Sequence, residues 1–289
     1  MKKVSVIVPA FNVENCISRC LDSLVNQTLN DIEIIVIDDG SIDNTYSIAH
    51  NYSQKDDRIK VFTQENQKQG AARNSGLEIA QAEYVIFVDS DDVIELNYCE
   101  ELYKIAQKYN ADIVTTNMLK HKKKYNKYNL FYKEIKEAVS LEDKISLCKD
   151  KTQRFFYVMN RAFKRSFINE NNILFPEGCF FEDVMFMTKA IFKANKIVSC
   201  PFTTYHYIEI PASTVKSKKN NDKKKLDHIQ AYTELQIFAK EKNIKLPERL
   251  NYVESYWENY FIKTYKGVYK TKRMLFGILP IGRINDVRS

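Results

Sequence analysis

Three carboxylates, Asp89, Asp91 and Asp92, stand within four consecutive residues, directly after the apolar run at 84–88. Carboxylates this close raise one another's pKa unless a cation or a set of hydrogen-bond donors compensates. Hard oxygen ligands grouped in this way suit Mg2+ or Mn2+, ions that usually keep contact with substrate phosphates too. A calcium loop is the competing explanation, since Glu100 falls at its twelfth position. Val93 and Ile94 then occupy positions 5 and 6, where a ligand and a glycine belong, and a strand-like run leads in where a helix should. The calcium loop fails on both counts. Two more polar clusters, Pro9-Ala10-Phe11-Asn12 and Asp38-Asp39-Gly40-Ser41, also follow β-branched runs. No G-x-G-x-x-G follows the first run, and no G-x-x-x-x-G-K-[ST] occurs anywhere in the chain. Phosphate must be held by something else, and a metal on the carboxylates is the economical choice.

The elements that must position these residues read as alternating strands and helices. Short β-branched runs at 4–8, 33–37, 59–62, 84–88 and 112–115 are of the kind buried in a parallel sheet. Helical periodicity fills the gaps: residues 13–25 with Asn12 as a candidate N-cap, a helix opened by Asp43 and Asn44, then 71–80 and 96–109. Strands separated by helices make βαβ units, hence an α/β fold with a mostly parallel, Rossmann-like sheet covered on both faces. Such sheets bind ligands beyond the carboxyl ends of their strands, and all three polar clusters fall there. The charged, Tyr-rich stretch 120–151 is expected to be a variable insertion or a helical connector. A helix pattern returns at 184–194, a short strand follows at 197–198, and 226–240 and 252–265 read as amphipathic helices.

Four motifs in register now resemble one family. Val4-Ser5-Val6-Ile7-Val8-Pro9-Ala10-Phe11-Asn12, Glu33-Ile34-Ile35-Val36-Ile37-Asp38-Asp39-Gly40-Ser41, Gln69-Gly70-Ala71-Ala72-Arg73-Asn74-Ser75-Gly76 and Asp89-Ser90-Asp91-Asp92 match family 2 glycosyltransferases in order and spacing. The resemblance implies the GT-A fold and inverting transfer from a UDP-sugar, with residues 1–215 as catalytic domain. Within it, 1–115 would bind the nucleotide and 116–215 the acceptor, leaving 216–289 as a basic helical C-terminal region. By resemblance Asp39 takes a hydrogen bond from uracil N3–H, Phe11 lies against the base, and Pro9 with Ala10 and Asn12 shapes its pocket. Asn66 and Arg73 reach the nucleotide or its phosphates; Asp89 and Ser90 sit near the ribose; Asp91, with Asp89, holds the metal. The pair Glu182-Asp183 supplies the base, with Asp183 expected to act and Glu182 to meet the acceptor. Acids at a helix start have a rival explanation in the macrodipole, worth roughly 0.3–1 kcal/mol; the upstream motifs favour catalysis. Tyr205-His206-Tyr207 and Pro211-Ala212-Ser213-Thr214 resemble the loop that closes over the diphosphate. Ile208 and Ile210 stand where arginines are common, leaving His206, Ser213 and Lys216 as candidates for phosphate or metal contact. His206 is equally a candidate structural histidine. The Lys-rich stretch 216–225 suits a mobile lid.

Bulk composition narrows the partners. A net charge of +7 is concentrated at the end, where 263–289 holds seven basic residues against Asp286 alone, interleaved with aromatic and aliphatic side chains. Peripheral contact with an anionic membrane fits that tail, at about 1 kcal/mol per Lys or Arg, and a lipid-linked glycan acceptor would give the contact a purpose. The tail suits equally a helix pair packed on the catalytic domain or on a second copy in a homo-oligomer. Nothing resembles a nucleic-acid reader. Six dispersed cysteines, without CxxC or zinc spacing, read as reduced core thiols. Met1-Lys2-Lys3 and the run at 4–8 read as a buried strand rather than a leader, which places the protein in the cytoplasm, at the inner face of the membrane if the tail binds there. Two rivals are weaker. A nucleotidyltransferase would want a Gly-rich basic loop after the first strand, and a non-catalytic scaffold would be expected to have lost Asp89, Asp91 or Asp183.

Overall fold

The computed structural model describes residues 2–122, 125–129, 132–148, 156–209, 221–241 and 243. The chain begins β1 (Val4–Ala10), α1 (Ile17–Val25), β2 (Ile32–Asp38), α2 (Thr45–Ser53), β3 (Ile59–Thr63), α3 (Lys68–Ile79) and β4 (Tyr84–Phe87). It continues with β5 (Val93–Ile94), α4 (Tyr98–Tyr109), β6 (Ile113–Lys122), β7 (Tyr125–Asn129), β8 (Glu137–Ala138) and α5 (Leu141–Cys148). The last described elements are β9 (Arg161–Lys164), α6 (Arg165–Glu170), α7 (Glu182–Lys193), β10 (Ile197–Ile208) and α8 (Asn221–Glu241). Two compact units divide the chain, residues 1–235 and 236–289.

One sheet runs in the order β3-β2-β1-β4-β9-β6-β10-β5, with β7 on β6 and β8 on β10. Its first four strands are parallel. Every residue of β1 and β2 is buried, which is why both read as mostly apolar runs rather than alternating ones, with Ser5, Glu33 and Asp38 as the polar exceptions. The pleat sends successive side chains to opposite faces. Val4, Val6 and Val8 join Leu21 and Leu24 of α1 and Leu102 of α4 in one core. Ile7 points the other way, onto Gly76 of α3, where a larger residue would collide with its side chain. On that second face Phe87 meets Phe163, Phe175 and Phe186 edge-on.

The second half departs from a simple βα alternation. β9 is wedged antiparallel between β4 and β6, and β6 then pairs in parallel with β10 over its long register. The stretch expected as an insertion or helical connector instead extends β6, turns back as β7, and adds β8 and α5. Its charged residues concealed a hairpin, because a strand at a sheet edge needs no continuous apolar run. β10 is also far longer than the two residues expected. Residues 201–203 are extra relative to β6, between Cys200 facing Thr116 and Thr204 facing Asn117. The Thr116 hydroxyl lies 2.8 Å from Cys200 O and 2.7 Å from Thr203 O, stitching the bulge. Past it, the strand delivers Tyr205 to the carboxylates.

Candidate functional site

The parallel strands end together and their loops are laced to one another. Asp39 N–H donates to Ala10 O (2.8 Å), Asn12 N–H to the Ser41 hydroxyl (3.0 Å), and Ile42 N–H to Asn12 Oδ1 (2.9 Å). Asn12 has φ +52 and binds across this seam, so it does not cap α1, which starts at Ile17 after Cys16. Pro9 and Ala10 are buried at the end of β1, while Phe11 stands 46% exposed at the mouth. Asp39 is buried; its Oδ1 accepts from Gln64 Nε2 (2.8 Å) and Gln67 N (2.9 Å). Its Oδ2 has no hydrogen-bond partner among the described residues and remains available to a donor. Gly40, at φ +74, leaves room for the 64–66 backbone, which a side chain there would press against; Asn66 is exposed beside it.

The acidic cluster is held from behind. Asp92 is buried, accepting the Tyr205 hydroxyl (2.7 Å) on one oxygen and Ile208 N–H (2.7 Å) on the other. Asp89 Oδ1 accepts from Arg73 Nη2 (2.8 Å) and Gln69 Nε2 (3.0 Å). Arg19 fixes the turn through Asp91 O (2.7 Å), and Ser90 is buried within it. The Asp91 carboxylate has no partner among the described side chains. Burial, then the charge of Asp89, pushes its pKa up to about 6, as expected of a desolvated carboxylate beside another. The carboxylate oxygens left without a protein donor are both of Asp91 and Oδ2 of Asp89, hard oxygens of the type that a divalent cation takes together with phosphate and water. Among the described residues no group of three His, Cys, Asp or Glu side chains is gathered for a metal.

Arg73, expected to reach the nucleotide or its phosphates, packs between two carboxylates. It is 2% exposed and spans Asp89 Oδ1 (2.8 Å) and Glu182 Oε1 (2.5 Å), with the Phe175 ring 5.2 Å away. Burial opposes its charge, but Asp89 and then Glu182 outweigh this and hold its pKa above the usual value. One buried guanidinium thus ties the carboxylates after β4 to the first turn of α7. Gly70 permits that approach, because any side chain there would run into Pro176 O and the Glu182 side chain. Glu182 is consumed by Arg73 and buried, whereas Asp183 is half-buried. Burial, then the Glu182 charge, raises the Asp183 pKa to about 7, and Arg73 only partly offsets them. A carboxylate of that basicity is matched to taking a proton near neutral pH.

Of the two remaining candidates only His206 lies among the described residues, and it is not brought to this group. Alternation along β10 turns Tyr205 to the carboxylates and so carries His206 away from them. His206 Nδ1 lies 2.9 Å from His121 Nε2, its ring stacks on that of His121, and its Nε2 is 3.4 Å from Glu95 Oε1. Both ring nitrogens are engaged there, which suits a structural histidine. Ser213, with Lys216 and the rest of that loop, lies outside the described residues, as does the basic tail from 244 onward. Sequence reasoning missed Gln69, Arg19 and Tyr205 as supports of the cluster, since nothing in a polar or aromatic residue announces a long-range partner.

The profile of Glycosyl transferase family 2 matches residues 5–171. The putative glycosyltransferase EpsH of Bacillus subtilis is 36% identical over 211 residues, a match spanning 71% of this chain and 60% of that one. The poly(ribitol-phosphate) beta-glucosyltransferase of Bacillus spizizenii is 35% identical over 72% of this chain and 32% of its own. The chain thus spans less than two thirds of the length of either relative. In fold, the crystal structure of residues 1–349 of S. aureus TarS with UDP-GlcNAc superposes at a TM-score of 0.70, covering 91% of this chain and 73% of that one at 24% identity. With the strand-end carboxylates, the Glu182-Asp183 helix start and the GT-A sheet in place, the chain belongs to glycosyl transferase family 2.

Proposed function

We propose that the chain is an inverting glycosyltransferase moving a hexose or N-acetylhexosamine from a UDP-sugar to a glycan hydroxyl, in the synthesis of a surface polysaccharide or lipo-oligosaccharide. One observation carries this reading: the buried Arg73 bridge between Asp89 and Glu182, which sets a donor-side acidic cluster beside the helix start that bears Asp183. Asp39 Oδ2 would accept uracil N3–H, a donor that cytosine lacks, and Phe11 would cover the base. Asp91, with Asp89 Oδ2, would hold Mn2+ or Mg2+. When bound, that cation offsets the charge that gathers on the departing UDP.

Asp183 then removes the proton of the acceptor hydroxyl. The hydroxyl oxygen bonds to the anomeric carbon from the face opposite UDP, and the sugar–phosphate bond breaks with its electron pair on the phosphate. Configuration inverts, so an α-linked UDP-sugar gives a β-linked product. The acceptor is read as a glycan or lipid-linked glycan, and a basic tail reaching an anionic membrane surface would bring the enzyme to it. Calorimetry with UDP and CDP tests the donor site: wild type should prefer UDP, and Asp39→Ala should lose that preference. Equal affinity of wild type for the two nucleotides would contradict the role of Asp39. An α-configured product, read by proton NMR, would overturn inversion.

A further inference from the structure

The turn that delivers Asp183 is strained, and two elements hold it, α3 and, beyond the family match, α8. Phe181, immediately before α7, has φ +63, and Gly178 has φ +68. An aromatic residue stays in the left-handed region only where its surroundings over-determine it. Here they do. Asp227 of α8 accepts Phe180 N–H at 2.9 Å, and the edge of the Phe181 ring meets His228 of the same helix, 4.7 Å between centroids. Lys68, the first residue of α3, donates from Nζ to Gly178 O (2.6 Å) and lies 4.2 Å over the Phe180 ring. Its ammonium is 4.0 Å from Asp227, whose side chain is 12% exposed. Lys68 itself has φ +71, so the residue gripping the turn is also held in an uncommon conformation. The same face of α8 carries Tyr232, whose hydroxyl pKa is pushed up to about 12 by burial and then by the charge of Asp183. α8 therefore runs alongside the base.

We propose that Asp227 is a positioning residue for Asp183: with Lys68 it clamps the 178–181 turn between α8 and α3, fixing the carboxylate at the start of α7. The proposal rests on Asp183 being the base, and it adds α8 to the catalytic apparatus although α8 lies beyond the family match at 5–171.

Two measurements on the full chain test it, using Asp227→Ala and Asp227→Asn. Hydrogen–deuterium exchange needs no substrate. Asp227→Ala should speed exchange across 178–183 while 84–92 stays as protected as in wild type, and Asp227→Asn, whose carboxamide oxygen still accepts Phe180 N–H, should restore protection. Unchanged exchange at 178–183 in Asp227→Ala overturns the clamp. The second readout is UDP release, with water as acceptor, from the sugar that wild type cleaves fastest in a panel of UDP-hexoses and UDP-N-acetylhexosamines. Asp227→Ala should lower kcat roughly 10- to 100-fold with KM for the donor unchanged, since a misplaced base costs rate and not donor binding; Asp227→Asn should recover most of the loss. Faster exchange with an unaltered kcat overturns the positioning role. A wild type that binds no UDP-sugar fails the glycosyltransferase reading instead, and the exchange experiment still decides the clamp.

Discussion

Asp183 is a half-buried carboxyl beside Glu182, and its surroundings disfavour its charge. Its pKa of about 7, set by burial and then by Glu182, means the folded protein favours its neutral form. A raised carboxyl pKa contributes stability that is present at acid pH and lost as pH rises through about 7. Removing the charge with Asp183→Asn should therefore stabilise the fold at pH 8, on the order of 1–3 kcal/mol, read as a higher Tm. The same variant should lose roughly 10²- to 10⁴-fold in transfer, the usual worth of a general base, with UDP binding intact. A Tm that falls at pH 8 would contradict this account of its environment. For the wild type, kcat/KM should rise with pH through a limb near 7, because only the ionised form accepts a proton; a limb near 4 would contradict it. At this scale the sequence was informative where residues sit at strand ends in register, as Asp39, Asp89 and Asp91 do. It was uninformative about the partners of Arg73, because only the fold shows its guanidinium paired with Asp89 and Glu182.

Between elements, the critical joint is α3 against α7. It is made by Arg73 inside and by Gly70 at the point of closest approach. Gly70→Ala forces a Cβ onto the Pro176 carbonyl, and such overpacking costs about 1–3 kcal/mol; the Tm should fall accordingly. Arg73→Met leaves two carboxylates facing a buried apolar group, and breaking a buried pair in this way costs about 3–5 kcal/mol. A melting curve for Arg73→Met that overlays the wild type would remove the bridge from the account. Strands buried on both faces, β1 and β2 above all, were legible as mostly apolar, β-branched runs. The β6–β7 hairpin was not, because its pattern follows an edge, and neither was the length of β10, whose bulge interrupts any period. His206 shows the consequence: placing one residue on the correct face of β10 depends on a register that only the pairing with β6 reveals.

At the scale of the whole molecule, an acidic cluster, a candidate base and a buried cation share one edge of a sheet, where parallel strands end and β10 returns to them. In sequence, the charge asymmetry is concentrated in the 263–289 segment, with its +6 excess from seven basic residues and Asp286. Among the described residues no helix is long and apolar enough to cross a membrane. If the tail meets anionic lipid, the full chain should sediment with phosphatidylserine-containing vesicles at 50 mM salt and be released near 500 mM, as screening shortens the Debye length. No sedimentation at low salt would exclude that contact. Under the proposed function, donor cleavage depends on a cation held by Asp91, which UDP release from a panel of UDP-hexoses and UDP-N-acetylhexosamines, with Mn2+ or with EDTA, tests. This role of Asp91 requires release selective for one sugar, dependent on Mn2+, and at least roughly 100-fold slower in a folded Asp91→Ala variant. Release that persists in EDTA, or an Asp91→Ala variant as fast as wild type, would contradict it.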